Sequence, residues 1–237
     1  MSIIDKKFRN WLTVISVACL PGLLLTSCAK TNNQPVTVTP AALLMVIQAS
    51  PDAPATDFYL GSTLINGAPI NYNNQLPYFL ANTGPLPATF YKTGTATKIA
   101  ADTINLKNQT AYTLFMANSI NKPDFILLTD TVLAPPAGQS FIRFVNVSSD
   151  SPAVDFAFKG GSVIVANKGY KGYSSFIAVP GDISDNFEIR KTGTSTVLAT
   201  LAFKPLSGYI YTVWLQGFAS GSGGTAQSAN YIANGYN

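Results

Sequence analysis

The chain has 237 residues, 47% of them hydrophobic and only 11% charged, against the ~25% charged residues usual in a soluble globular domain. Histidine is absent and the cysteines are Cys19 and Cys28 alone, which removes the commonest general base, a disulfide framework and a cysteine-based zinc site. The formal net charge is only +4 and no Lys/Arg cluster appears after residue 28, so there is no electrostatic footprint for nucleic acid.

In chain order, MSIIDKKFRN is short and basic, and WLTVISVACLPGLLL (11–25) is an apolar run of 15 residues, short of the ~20 that a membrane-spanning helix needs. It leads into LTSC, Leu25–Cys28. This resembles the bacterial lipobox, in which Leu at −3 and small or polar residues precede a cysteine that is acylated and becomes the first residue of the mature protein. The resemblance implies that residues 1–27 are a lipoprotein signal peptide and that Cys28 carries the membrane anchor. Cys19, Lys6, Lys7, Arg9 and Asp5 would leave with the leader, reducing the charge to +2. Each buried methylene of the acyl chains contributes ~0.8 kcal/mol, so attachment would be effectively permanent.

Residues 28–41 would then be the acylated cysteine and a flexible tether: AKTNNQPVTVTP has two prolines and no apolar periodicity. Ala29 follows the cysteine where an Asp would be read as a retention signal, and no acidic run follows. By resemblance to other lipoproteins, this implies the outer membrane and favours its periplasmic face.

The body is duplicated. ASPDAPATDF (49–58) returns as VSSDSPAVDF (147–156), LLMVIQ (43–48) as FIRFVN (141–146), KTGTAT (92–97) as KTGTST (191–196), and Tyr112-Thr113 as Tyr211-Thr212. The unit of about 95 residues is too long for a solenoid repeat and implies tandem domains. TAYTLFMA (110–117), FIRFVNVS (141–148) and YIYTVWLQ (209–216) are rich in β-branched and aromatic residues over strand-like lengths. Turn signals recur between them, and NYIANG (230–235) falls where FILLTD (125–130) falls in the first copy. The expected fold is all-β: two tandem antiparallel β-sandwiches of Ig-like or transthyretin-like type. Repeat 1 would span 42–134, a Pro-rich hinge 135–138 and repeat 2 139–237, Pro135 and Pro136 being unable to continue a ladder.

The repeated aspartates, Asp52 and Asp57 against Asp150 and Asp155, follow a strand end beside prolines. Asp52 has the offset of an Asx-turn, its carboxylate accepting N–H groups one or two residues on. Presence in both copies favours a turn over chemistry, because a corner is needed wherever the fold repeats. A calcium site shared by Asp52 and Asp57 lacks further oxygen ligands, and a catalytic carboxylate pair has no supporting residues. No catalytic residue, metal site or cofactor is expected.

SINK (119–122), SDN (184–186) and KTG (191–193) imitate a penicillin-recognising serine enzyme. SINK falls in a hairpin, SDN lies too close to KTG, and KTG occurs twice. KTGT is instead a hairpin turn with Gly94 or Gly193 at positive φ.

NKGYKGYSSF (167–176) sets Tyr170, Tyr173 and Phe176 beside Lys168 and Lys171, and the first copy has Tyr72, Tyr78 and Phe79. Such rings can stack on sugars or anchor a protein partner. The alternative puts Tyr72/Tyr170 and Phe79/Phe176 in the core and leaves Tyr173 as the exposed ring.

The apolar strand, the A-S-P-D-A-P-A-x-D motif, the KTGT turn and the YT-rich strand together resemble the DUF4397 family of secreted bacterial proteins. APPAGQSFIRFVNVSSDSPAVDF (134–156) is similar to the inter-repeat segment of such lipoproteins from the Bacteroidota. Copy two departs from the motif at Ser149 and Ser151, which replace Pro51 and Ala53. The resemblance implies a fold and an envelope location and no chemistry. The functional expectation is therefore a lipid-anchored, non-enzymatic binding or structural module for a glycan or an envelope protein. The alternatives are an envelope polysaccharide hydrolase using aspartates and a calcium-stabilised adhesin.

Overall fold

The computed structural model describes residues 40–130, 133–184 and 186–236; the leader, Cys28 and the tether up to residue 39 lie outside them. The body is all-β apart from one short 3-10 turn at Gly223–Thr225. Unit 1 comprises β1 (Ala41–Gln48), β2 (Thr56–Leu60), β3 (Thr63–Leu64), β4 (Gln75–Asn82), β5 (Gly84–Lys92), β6 (Lys98–Leu106), β7 (Ala111–Ala117) and β8 (Asp124–Asp130). Unit 2 comprises β9 (Gln139–Asn146), β10 (Val154–Phe158), β11 (Val163–Lys168), β12 (Ile177–Pro180), β13 (Asn186–Lys191), β14 (Val197–Ala202), β15 (Tyr209–Gln216) and β16 (Ser228–Tyr236).

The two units share one topology. An inner sheet of order β4-β1-β7-β8 or β12-β9-β15-β16 faces an outer sheet of order β3-β2-β5-β6 or β11-β10-β13-β14. Most pairs are antiparallel; β1 with β7 and β9 with β15 are parallel. The parallel pair is possible because the chain visits the outer sheet between them, a crossover far longer than a hairpin.

Each unit fills its own sandwich: Phe58, Phe90, Leu44 and Leu114 in unit 1, Phe156, Phe187, Phe144 and Val213 in unit 2. The inner sheets carry a second apolar face, which is why β7 is buried along its whole length and β15 nearly so. Strands buried on both sides read as continuous apolar runs without alternation. The second faces meet in a third core of Met45, Ile47, Phe115, Ile126, Val145, Trp214 and Ile232, drawn from both units. Phe115 and Trp214 touch edge to face at 5.5 Å. Burying each such side chain contributes ~1.5–3 kcal/mol. The described residues of both sandwiches therefore fall in one compact unit, joined by this third core on either side of the Pro-rich segment 135–138.

Details of register differ from the sequence reading. Phe79 pairs with Leu44 and Ile177 with Ile142, so Tyr78, not Phe79, is the counterpart of Phe176. Gly94 and Gly193 take φ of 69° and 72° in the KTGT turns, a conformation that costs glycine nothing.

Candidate functional site

The repeated aspartates sit at the two ends of the segment that crosses from inner to outer sheet. Backbone turns form there, with Ala53 N–H reaching Ser50 O and Ser151 N–H reaching Ser148 O at 3.4 Å. The carboxylates accept chiefly from distant loops; the local donor to Asp52 is Ser50 Oγ, at 3.3 Å. Asp52 accepts from Ser119 Oγ at 2.7 Å and Ile120 N–H at 2.8 Å, in the β7–β8 hairpin. Asp150 does the same for β15–β16, accepting from Ala219 N–H at 2.6 Å and from Ser220 through N–H and Oγ. Asp57 accepts from Gly94 N–H at 3.0 Å and Thr93 Oγ1 at 3.2 Å; Asp155 accepts from Gly193 N–H at 3.1 Å, Thr192 Oγ1 at 3.0 Å and Asn167 N–H at 2.7 Å.

One aspartate thus ties the crossing segment to an inner hairpin and the other ties it to the KTGT turn. For Asp155, burial works to raise the pKa, but the donors of Asn167, Gly193 and Thr192 and the charge of Arg190 outweigh it and hold it below its ordinary range. Asp150 is held low against burial in the same way by Ala219 and Ser220. Among the described residues, no group of three or more Cys, Asp or Glu side chains is placed to hold a metal ion.

Of the three tyrosines expected as stacking rings, Tyr72 and Tyr170 lie where the two units meet. Tyr170 packs against the shared core and donates to Asp124 of unit 1 at 2.7 Å, while Lys171 pairs with the same carboxylate at 2.7 Å. Tyr72 is half-buried, with its hydroxyl buried beside Ser228 of unit 2 but without well-formed hydrogen-bond geometry. Their neighbours Asn73 and Lys171 both lie in the left-handed region, φ 72° and 63°, and each reaches over the other unit. Asn73 Oδ1 accepts from Gln216 Nε2 at 2.7 Å and from Asn230 Nδ2. The loops before β4 and β12 are reciprocal straps. Tyr173 is the exposed ring of the three, at 54%.

Beneath the straps lies a polar network that the sequence reading missed. Arg143 of β9, standing where unit 1 has Met45, donates to Asp130 of β8 at 2.6 Å and to Thr212 Oγ1 at 2.8 Å. Tyr78 and Thr113 hydroxyls donate to the other Asp130 oxygen, and Asn234 of β16 donates to both hydroxyls. The missed signal was an arginine inside FIRFVN, an otherwise apolar strand.

An open depression lies on the outer sheet of unit 1. Along β2, Phe58 faces the core, so Asp57 and Tyr59 face out. Pairing of Asp57 with Tyr91 and of Phe58 with Phe90 brings Tyr91 to the same outward face. The rings of Tyr59 and Tyr91 meet at 5.2 Å and 80°, walling a depression of about 580 Å³ that Gly61, Ser62, Gly94 and Thr95 complete. Asp57 is its only charged lining residue, and its carboxylate is engaged by Asn66, Thr93 and Gly94.

Unit 2 fills the equivalent place. Tyr59 corresponds to Ala157 and Tyr91 to Arg190, since Asp155 pairs with Arg190 as Asp57 pairs with Tyr91. Arg190 forms an ion pair with Glu188 at 2.8 Å and donates to Phe158 O and Gly161 O at 2.9 and 3.0 Å. Its guanidinium lies across the turn that in unit 1 lines the depression. Comparing the two copies at outward positions would have found Tyr59 and Tyr91.

No curated protein sequence matches the chain. Similar solved structures include a family 26 carbohydrate-binding module of Eubacterium rectale Amy13K in complex with maltoheptaose, at 12% identity over 81% of this chain and 95% of that one, TM-score 0.29. A family 41 carbohydrate-binding module from streptococcal virulence factors matches at 13% identity over 73% and 92%, TM-score 0.26. The Bacillus anthracis TIE protein matches at 11% identity over 82% of this chain and 43% of that one, TM-score 0.24. Residues 42–157, from β1 to within β10, match the family model described as Domain of unknown function (DUF4397), and the chain therefore contains a DUF4397 domain.

Proposed function

We propose that this is a lipid-anchored protein of the bacterial envelope whose body is a non-enzymatic binding module, unit 1 carrying the binding face and unit 2 bracing it. The observation that carries the reading is the difference between copies: one outward face is open and walled by Tyr59 and Tyr91, and the other is closed by Arg190 and Glu188. The sandwich interior is alike in both units, so the demands of the fold do not explain the difference. A non-catalytic role is supported by the aspartates, whose oxygens are taken up by loop donors.

The anchor reading rests on Leu25–Cys28, and the outer membrane, periplasmic face, on Ala29 and the lack of an acidic run after it. The test has two arms. Cys28→Ala should release the protein from carbonate-washed membranes; retention would contradict the anchor. Mature protein passed over solubilised envelope fractions should retain a component that it no longer retains after Tyr91→Ala. Equal retention by both would contradict unit 1 as the binding face.

A further inference from the structure

We infer that the depression walled by Tyr59 and Tyr91 is a site for a neutral hexopyranose unit of a glycan; this rests on the binding-module reading and names its ligand class. Three observations converge on that chemistry. First, the two rings stand nearly perpendicular, at 5.2 Å and 80°. Such a corner offers one flat π-face and one ring edge, which suits a saturated ring with a C–H face and a polar rim. A flat aromatic ligand would be better served by two parallel walls. Second, the remaining lining is small and hydroxylated, with Ser62 and Thr95 beside two phenols and the glycines Gly61 and Gly94. It can exchange hydrogen bonds with ring hydroxyls without presenting a bulky apolar floor. Third, no cationic side chain lines the site and Asp57 contributes its single charge. A phosphate, sulfate or uronate would find no counter-ion there and would be repelled.

The volume of about 580 Å³ falls in the range of small-molecule sites, roughly 300–1,000 Å³, and the depression is open enough for a chain to continue past it. Unit 2 shows how the same scaffold looks without the site. Arg190 bonds to Glu188 and to the carbonyls of the β10–β11 turn, and Ala157 offers no ring.

The test is titration of the mature protein with neutral gluco-, manno- and galacto-hexasaccharides, their uronic-acid counterparts, and a proline-rich peptide. The site predicts binding of at least one neutral series, with uronates weaker. Tyr59→Ala and Tyr91→Ala should each lose affinity on the order of tenfold, and Tyr59→Phe, which keeps the ring, should retain most of it. Melting temperatures of the variants identify any that fail to fold, and Tyr59→Phe guards against that ambiguity. If no neutral saccharide binds, or if its binding survives both alanine variants, the glycan assignment is overturned. If instead the uronate or the peptide binds and is lost in Tyr91→Ala, the ligand class is wrong while unit 1 remains the binding face. If envelope retention also proves independent of Tyr91, both fall.

Discussion

Arg143 and Asp130 join the two units through a buried ion pair of 2.6 Å, their side chains 2% and 1% exposed. A charge pair so enclosed costs desolvation on both sides and is held by the hydroxyls of Thr212, Thr113 and Tyr78 around it. Removing one partner strands the other. Arg143→Met, the residue that unit 1 carries at this position, should therefore destabilise the protein by about 3–5 kcal/mol. Arg143→Met with Asp130→Asn should recover much of that loss, because the amide oxygen still accepts from Tyr78 and Thr113 while the buried charge is gone. Urea unfolding of the two singles and the double measures the coupling; strictly additive losses would show that the pair acts as two independent residues.

The shared core predicts one cooperative unfolding event for the body. Met45, Ile47 and Phe115 would face water if unit 1 were separated from Val145 and Trp214. Calorimetry of residues 40–237 should give equal calorimetric and van't Hoff enthalpies. Two resolved transitions would mean that the units are autonomous.

The aspartate ties predict a loss of stability without a loss of binding. Asp155→Ala leaves the N–H groups of Gly193 and Asn167 unpaired and should cost about 1.5–3 kcal/mol. Asp150→Ala should weaken the β15–β16 loop, seen as faster amide exchange at Ala219 and Ser220. A variant that melts like the parent would remove the tie from the account.

The same groups set the pH dependence. Asp124, Asp150 and Asp155 are held below their ordinary range. Their contribution is thus present above the unfolded value of ~3.9 and lost as pH falls through the lower folded values. In the other direction, burial and the neighbouring carboxylates Asp130 and Asp124 push the Tyr78 and Tyr170 phenols well above their ordinary range. That contribution is complete below ~10 and lost as pH rises through the folded values. The melting temperature should fall below about pH 4 and above about pH 10, and Tyr170→Phe should blunt the alkaline fall.

What the sequence disclosed was local or repeated. The twin motifs, the strands and the left-handed glycines of KTGT depend on neighbours along the chain, and each was legible. The partners of Asp52 and Asp150 lie 67–70 residues away, and no local rule reaches that far. Tyr59 and Tyr91 become neighbours only once β2 and β5 are in register. Tyr72 and Tyr170 looked like free rings because a single strand pattern does not say that its second apolar face will meet the other unit.

The most direct test of the central claim places unit 2's arginine in the open face of unit 1. Mature protein carrying Tyr91→Arg, the residue that unit 2 has at this position, should keep its melting temperature and lose its affinity for the neutral hexasaccharide that binds the parent. Undiminished affinity in that variant would contradict a binding face on unit 1.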